Sequence, residues 1–119
     1  MLTLLLNNQI QSQVTLVLEQ IPRDTPKNAV PFITGNFDNW SGGKDYYFSM
    51  NDKGYYSMTL PKTKKDLEFK FTLGSWEQVE TDSVGKNIEN RTWHFSEKHD
   101  TLFMKIHGWQ KQKGAIKST

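Results

Sequence analysis

The chain contains no cysteine, which excludes disulfides, thiolate metal sites and cysteine nucleophiles. It leaves the redox compartment open, because exported and cytosolic domains alike can lack the residue. There is no apolar run near the ~20 residues that a bilayer-spanning helix needs, so no membrane span is expected. The short apolar start from Met1 to Leu6 has neither the basic leader nor the apolar stretch of about 7–15 residues of a secretory signal. Location, cytoplasmic or exported, stays open on the sequence. Helical periodicity is missing too: nowhere do apolar residues recur at spacings of three and four over the roughly ten residues an amphipathic helix needs. Nor is there a charge of one sign to speak of. The formal net charge is +2, and Lys111, Lys113 and Lys117 stand in the last ten residues, which hold no acid. The pI of 8.8 is therefore a tail effect on a slightly acidic body. A nucleic-acid binder needs a clustered basic face on that body, and nucleic acid is not an expected partner.

With 119 residues, 35% of them hydrophobic, and a mean hydropathy of −0.70, the chain has material for one domain around one modest core. Aromatics are plentiful. Phe 7, Trp 4 and Tyr 4 make 13% of the chain, enough for a β-rich core with rings left for a surface. Period-two alternation recurs and assigns faces. Val14, Leu16 and Leu18 alternate with Thr15, Val17 and Glu19, so the first set is expected inside and the second outside. Pro22, Pro26 and Pro31 punctuate a turn-rich crossing to a short strand at about Phe32–Thr34. Gly35 ends that strand, and a loop rich in Asn, Asp, Ser and Gly, Asn36 to Gly43, carries Trp40.

The runs Tyr46–Met50 and Tyr55–Leu60 flank Asn51-Asp52-Lys53-Gly54, a β-hairpin signal with glycine where the turn wants positive φ. Leu67 to Leu73 alternates strictly, burying Leu67, Phe69, Phe71 and Leu73 and turning Glu68, Lys70 and Thr72 outward. Lys70 is thereby expected on an exposed sheet face. Trp76 follows the Gly74-Ser75 break, and Glu77 to Asn90 reads as a long loop. Strands resume near Arg91–Phe95 and at Thr101–His107, where Leu102, Met104 and Ile106 alternate with Phe103, Lys105 and His107. About seven to eight short strands with turns between them predict an all-β, immunoglobulin-like antiparallel sandwich. The domain is expected over 13–109, with a flexible lead-in at 1–12 and a disordered basic tail at 110–119.

Two stretches carry a family likeness: Thr34-Gly35-Asn36-Phe37-Asp38-Asn39-Trp40-Ser41, and Phe69-Lys70-Phe71 followed by Gly74-Ser75-Trp76-Glu77. Together they resemble the starch- and glycogen-binding modules. The nearest pattern is the glycogen-binding domain of the AMP-activated protein kinase β subunit, where a Gly-x-Phe-Asn-Asn-Trp loop precedes a Tyr-Lys-Phe strand leading to a Trp. Ile88-Glu89-Asn90-Arg91 is similar to the Asn-Arg element of starch-binding domains in amylolytic enzymes. The resemblance covers about Val14 to Trp109. It implies Trp40 and Trp76 as stacking platforms, Lys70 and Asn90 as hydrogen-bonding partners of sugar hydroxyls, α-glucan as ligand, no catalysis, and a catalytic domain or enzyme as neighbour. Asp38 departs from the kinase-type Asn, and Glu77–Asn90 is longer than in the kinase subunit and closer to the starch-binding type.

The residue types suit that chemistry. A glucose ring presents a face of C–H bonds and an edge of hydroxyls, and indoles offer large apolar area with little side-chain entropy to lose. Two indoles at an angle match the curvature of an amylose helix. Expected dissociation constants for short oligosaccharides are roughly micromolar to millimolar. The plain alternative for both tryptophans is a loop aromatic folded onto the core, and for the whole chain a protein-interaction or structural sandwich whose sugar site has decayed. Trp93 and Trp109 are expected to cap the sandwich. The four tyrosines, Tyr46, Tyr47, Tyr55 and Tyr56, are expected to divide between core and outer sheet face, where an outward one would extend the sugar groove or serve a second site.

Other chemistry has little support. Glu77, Glu80 and Asp82 form the one close acidic cluster in the sequence, but a glycosidase needs two carboxyls opposed across a sugar. His94, His99 and His107 fit no short metal-ligand spacing, and no phosphate-cradling glycine loop or nucleophile elbow is present. No metal and no cofactor are expected.

Overall fold

The computed structural model describes residues 13–63, 65–95 and 100–111; the expected lead-in and most of the expected tail lie outside them. Among the described residues nine strands run in chain order: β1 Gln13–Gln20, β2 Phe32–Gly35, β3 Ser49–Met50, β4 Tyr56–Pro61, β5 Leu67–Thr72, β6 Glu80–Thr81, β7 Arg91–Trp93, β8 Asp100–Lys105 and β9 Gly108–Trp109. A four-stranded sheet has the order β3-β4-β1-β8, a three-stranded sheet the order β2-β5-β7, and β6 pairs with β9. The β1–β8 pairing is parallel and the other pairings are antiparallel. Among the described residues the sole helical element is one 3-10 turn, Trp76–Gln78. None is long and apolar enough to cross a membrane.

Alternation places the core. Val14, Leu16 and Leu18 of β1 and Leu60 of β4 face Ile33 of β2 and Leu67, Phe69 and Phe71 of β5, with Phe48, Ile106 and Trp109 joining them. The chain is therefore an all-β sandwich. Phe71 is the hub of an aromatic cluster, edge-on to Phe48 at 5.7 Å and to Phe69 at 5.5 Å, a geometry that suits the ring quadrupoles. The 51–54 hairpin forms as expected. Met50 pairs with Tyr56, the Asn51 side chain accepts the Lys53 and Tyr55 amides, and Gly54 sits at φ 87°.

The strand expected over Tyr46–Met50 divides between the two sheets. Tyr47 bridges Phe32, the Tyr46 carbonyl accepts the Ile33 amide, and the Phe48 amide donates to Pro31 O. The next two residues, β3, pair with β4 instead.

Three further expectations change. Val17 points away from the main core yet is 7% exposed, because Phe103 and Ser57 flank it in register and Phe103 and Tyr55 wall a shallow concavity around it. The Glu77–Asn90 segment is not a plain loop: it holds the 3-10 turn and β6. Glu80 there is fully buried, its carboxylate gripped by the Arg91 Nε and Nη2 at 2.8–3.1 Å and by the Phe71 amide at 2.9 Å. Third, the chain remains engaged past Trp109, since the Gln110 amide donates to Val79 O.

Trp109 is buried as expected, with its indole N–H donating to Thr25 Oγ1. Trp93 packs half-buried against the core. Its indole nitrogen is buried and finds no partner among the described residues.

Candidate functional site

The Asn36–Gly43 loop folds across the outer face of β2 and β5. Asp38 organises it by accepting Thr34 Oγ1 at 3.0 Å, the Gly35 amide at 2.9 Å and Ser41 Oγ at 2.7 Å. Such reach onto backbone and hydroxyl donors is what a short Asx side chain does well. This is why an aspartate suits the position: all three partners donate. Asn36 ties the start of the loop to the start of β5, donating to Asp66 O and accepting the Glu68 amide.

The loop rests on two threonines of the sheet. Thr34 Oγ1 accepts the Gly42 amide, and Thr72 Oγ1 donates to Gly42 O and accepts the Gly74 amide. Thr72 thus points outward as its alternation predicts, but it is buried rather than solvated, because the loop lies on it.

This scaffold brings the two candidate tryptophans together from positions 36 residues apart. Their ring centroids lie 6.3 Å apart with planes 29° from parallel, and the Trp76 indole N–H donates to Trp40 O at 3.1 Å. Trp40 is half-buried and Trp76 is 40% exposed. Trp40 adopts φ 54° and Asn39 φ 56°. A bulky residue in the left-handed region is an outlier that persists only where its surroundings over-determine it. Here the Trp40 amide donates to Gly35 O while its carbonyl holds Trp76. Gly42, at φ 94°, presses on Trp76: a Cβ there would lie 2.8 Å from the indole Cδ1.

Lys70 pairs with Thr34, the residue beneath Gly42, and is half-buried rather than freely exposed. The β5–β7 register runs Leu67 to Trp93, Glu68 to Thr92 and Phe69 to Arg91; exposed Asn90 immediately precedes β7, one residue beyond the last of these pairs, as Lys70 is on β5. Three surface concavities, one beside Trp109, one beside Phe103 and one beside Phe37, are lined by residues other than Trp40, Trp76, Lys70 and Asn90. With its N–H engaged by the Trp40 carbonyl, Trp76 offers ring area and no donor. Sequence reasoning missed Thr34, Thr72 and Gly42 as the site's foundation. Their signal, a Thr-Gly strand end followed by Asp, is legible only once the loop is known to fold back.

The acidic cluster does not assemble into opposed carboxyls. Glu80 is committed to Arg91, and Asp82 Oδ1 accepts the Val84 and Lys86 amides in a turn. The Lys86 amide bond chiefly holds the Asp82 carboxyl below its ordinary pKa. Of the histidines, His94 meets Asp66 at 2.7 Å, His107 lines a concavity with Asp24, Asp82 and Trp109, and His99 lies outside the described residues.

No protein-family profile matches the chain, and no solved structure does. Among curated proteins it is 31% identical over 110 residues to an α-amylase of Niallia circulans, a match covering 91% of this chain and 8% of that protein. The chain is thus similar, over most of its length, to a small part of a much longer amylase.

Proposed function

We propose that the chain is a non-catalytic carbohydrate-binding module for α-glucan, whether starch, glycogen or malto-oligosaccharide, with residues 13–109 as its domain. Sugar rings stack on Trp40 and Trp76, and Lys70 and Asn90 hydrogen-bond the hydroxyls. The observation that carries this reading is the strained placement of Trp40, held by its amide and carbonyl against Trp76. Strain of this kind, of order 1–3 kcal/mol, clusters at ligand sites. A loop ring serving only the core would have no reason to meet a second exposed indole. The 29° between the rings suits a curved chain better than a flat one. Similarity to part of a protein named α-amylase favours α-glucan among polysaccharides and a catalytic domain or enzyme as the partner. The motif likeness to the kinase β-subunit domain supports the same ligand class. Its mechanism is proximity: a weak site that keeps an attached activity at a polymer raises local substrate concentration without chemistry of its own.

Titration of tryptophan fluorescence with maltoheptaose and with β-cyclodextrin, beside a cello-oligosaccharide, tests the reading. Saturable change with the α-linked ligands alone, lost in Trp40→Ala and in Trp76→Ala while both variants still unfold cooperatively, is the expected outcome. Silence from the folded wild type at millimolar ligand would sink it. Weight would then move to an interaction sandwich that contacts a neighbouring domain through the same face.

A further inference from the structure

Tyr47 and Phe32 take no part in the site as drawn so far. Tyr47 is 57% exposed, yet its position is well determined. It bridges Phe32 across the sheet edge, with the neighbouring Tyr46 and Phe48 hydrogen-bonded to Ile33 and Pro31 and Phe48 sunk in the core. Because side chains alternate along extended chain, Tyr47 faces outward with Phe32, and the two rings meet edge to face at 6.1 Å. A large ring fixed on an open face is a ready contact surface with little rotamer freedom to lose.

The ground between this pair and the tryptophans is glycine. Gly43 lies against Phe32, where an added Cβ would come within 3.0 Å of the Phe32 Cβ and 3.2 Å of Gly74 Cα. Gly74 lies over the Phe32 ring, with an added Cβ 3.4 Å from its Cε1. Gly42, the next residue back, touches the Trp76 indole. These three residues all hold positive φ, between 94° and 110°, and raise no side chain. An aromatic face at Trp40–Trp76 therefore continues over a bare backbone floor to a second aromatic face at Phe32–Tyr47.

We infer that Phe32 and Tyr47 form an outer subsite of the same groove, which takes glucosyl residues of one α-glucan chain beyond those stacked on the tryptophans. The groove then selects by length: a short oligosaccharide fills the tryptophan pair alone, and a longer one reaches Tyr47. This inference rests on the α-glucan reading of the tryptophan site.

Calorimetric titration of wild type, Tyr47→Ala, Tyr47→Phe and Trp40→Ala with maltotriose and maltoheptaose tests it. Wild type should bind maltoheptaose more tightly than maltotriose. Tyr47→Ala should lose roughly three- to tenfold in maltoheptaose affinity, the range of one aromatic contact, with maltotriose unchanged and Tyr47→Phe close to wild type. Tyr47→Thr, whose β-branched side chain suits extended backbone, repeats the truncation should alanine perturb the fold. Equal losses on both sugars, or no loss on maltoheptaose, would overturn the subsite. If binding disappears in Trp40→Ala but survives unchanged in Tyr47→Ala, the glucan site stands and the extension falls. A wild type that binds neither sugar removes both.

Discussion

Trp40 at φ 54° and Gly42 at φ 94° show the division of labour at the residue scale: one residue tolerates a costly backbone state, and the other leaves room for its partner ring. Alanine at position 42 would set a Cβ 2.8 Å from the Trp76 Cδ1, closer than real contacts allow, in a conformation L-residues rarely adopt. Gly42→Ala is expected to cost about 1–3 kcal/mol and to push the indole off its place. Urea unfolding should show the loss of stability. The fluorescence titration should show maltoheptaose binding weakened at least as much as in Trp76→Ala. Normal binding by this variant would mean that the Gly42–Trp76 contact does not set the platform. Asp38 acts beside it as an acceptor of three donors, a role that an amide side chain with one acceptor oxygen would fill less well.

At the scale of elements, the segment from Trp76 to Asn90 is tied down by a buried ion pair beside its buried apolar side chain, Val79. Glu80 has no exposed side-chain surface and Arg91 has 22%. The guanidinium also stacks over Phe71 at 5.1 Å and donates to Lys105 O. It thereby joins β6, β5, β7 and β8. Removing one partner of such a pair leaves a buried charge uncompensated, at about 3–5 kcal/mol. Arg91→Ala should lower the unfolding free energy obtained from urea titration by that amount, whereas Glu80→Met with Arg91→Met should recover part of it. Recovery stays partial because the Phe71 amide, which donates to Glu80, is left without its acceptor. A single Arg91→Ala variant as stable as wild type would show that the pair is not what holds this segment.

Across the whole molecule, β1 is central because strands from distant parts of the chain flank it, β4 on one side and β8 on the other. The parallel β1–β8 pairing runs from Val14–Asp100 to Gln20–Lys105, and β8 is followed by Ile106 and Trp109, both in the core. Deleting residues 100–119 should therefore abolish the cooperative thermal transition and the near-ultraviolet tryptophan signal. The truncation leaves β1 with an open edge and the core without two of its large side chains. A truncated chain that still melts cooperatively would relegate β8 to an accessory strand.

The sequence by itself determined what short-range physics can write. Strict alternation over Leu67–Leu73 placed Phe69 and Phe71 inside, Asn51 to Gly54 specified the hairpin turn, and the missing helical period left an all-β sandwich. A period of two says which face a side chain occupies, but not what covers that face. Only the tertiary structure decided that Thr72 and Val17 are buried while pointing away from the core, and that Glu80 is a paired core residue rather than a loop acid. It alone joined Trp40 to Trp76 and set Tyr47 beside Phe32. Each of these depends on partners distant in the chain, brought together by strand pairing and loop hydrogen bonds that no local pattern encodes.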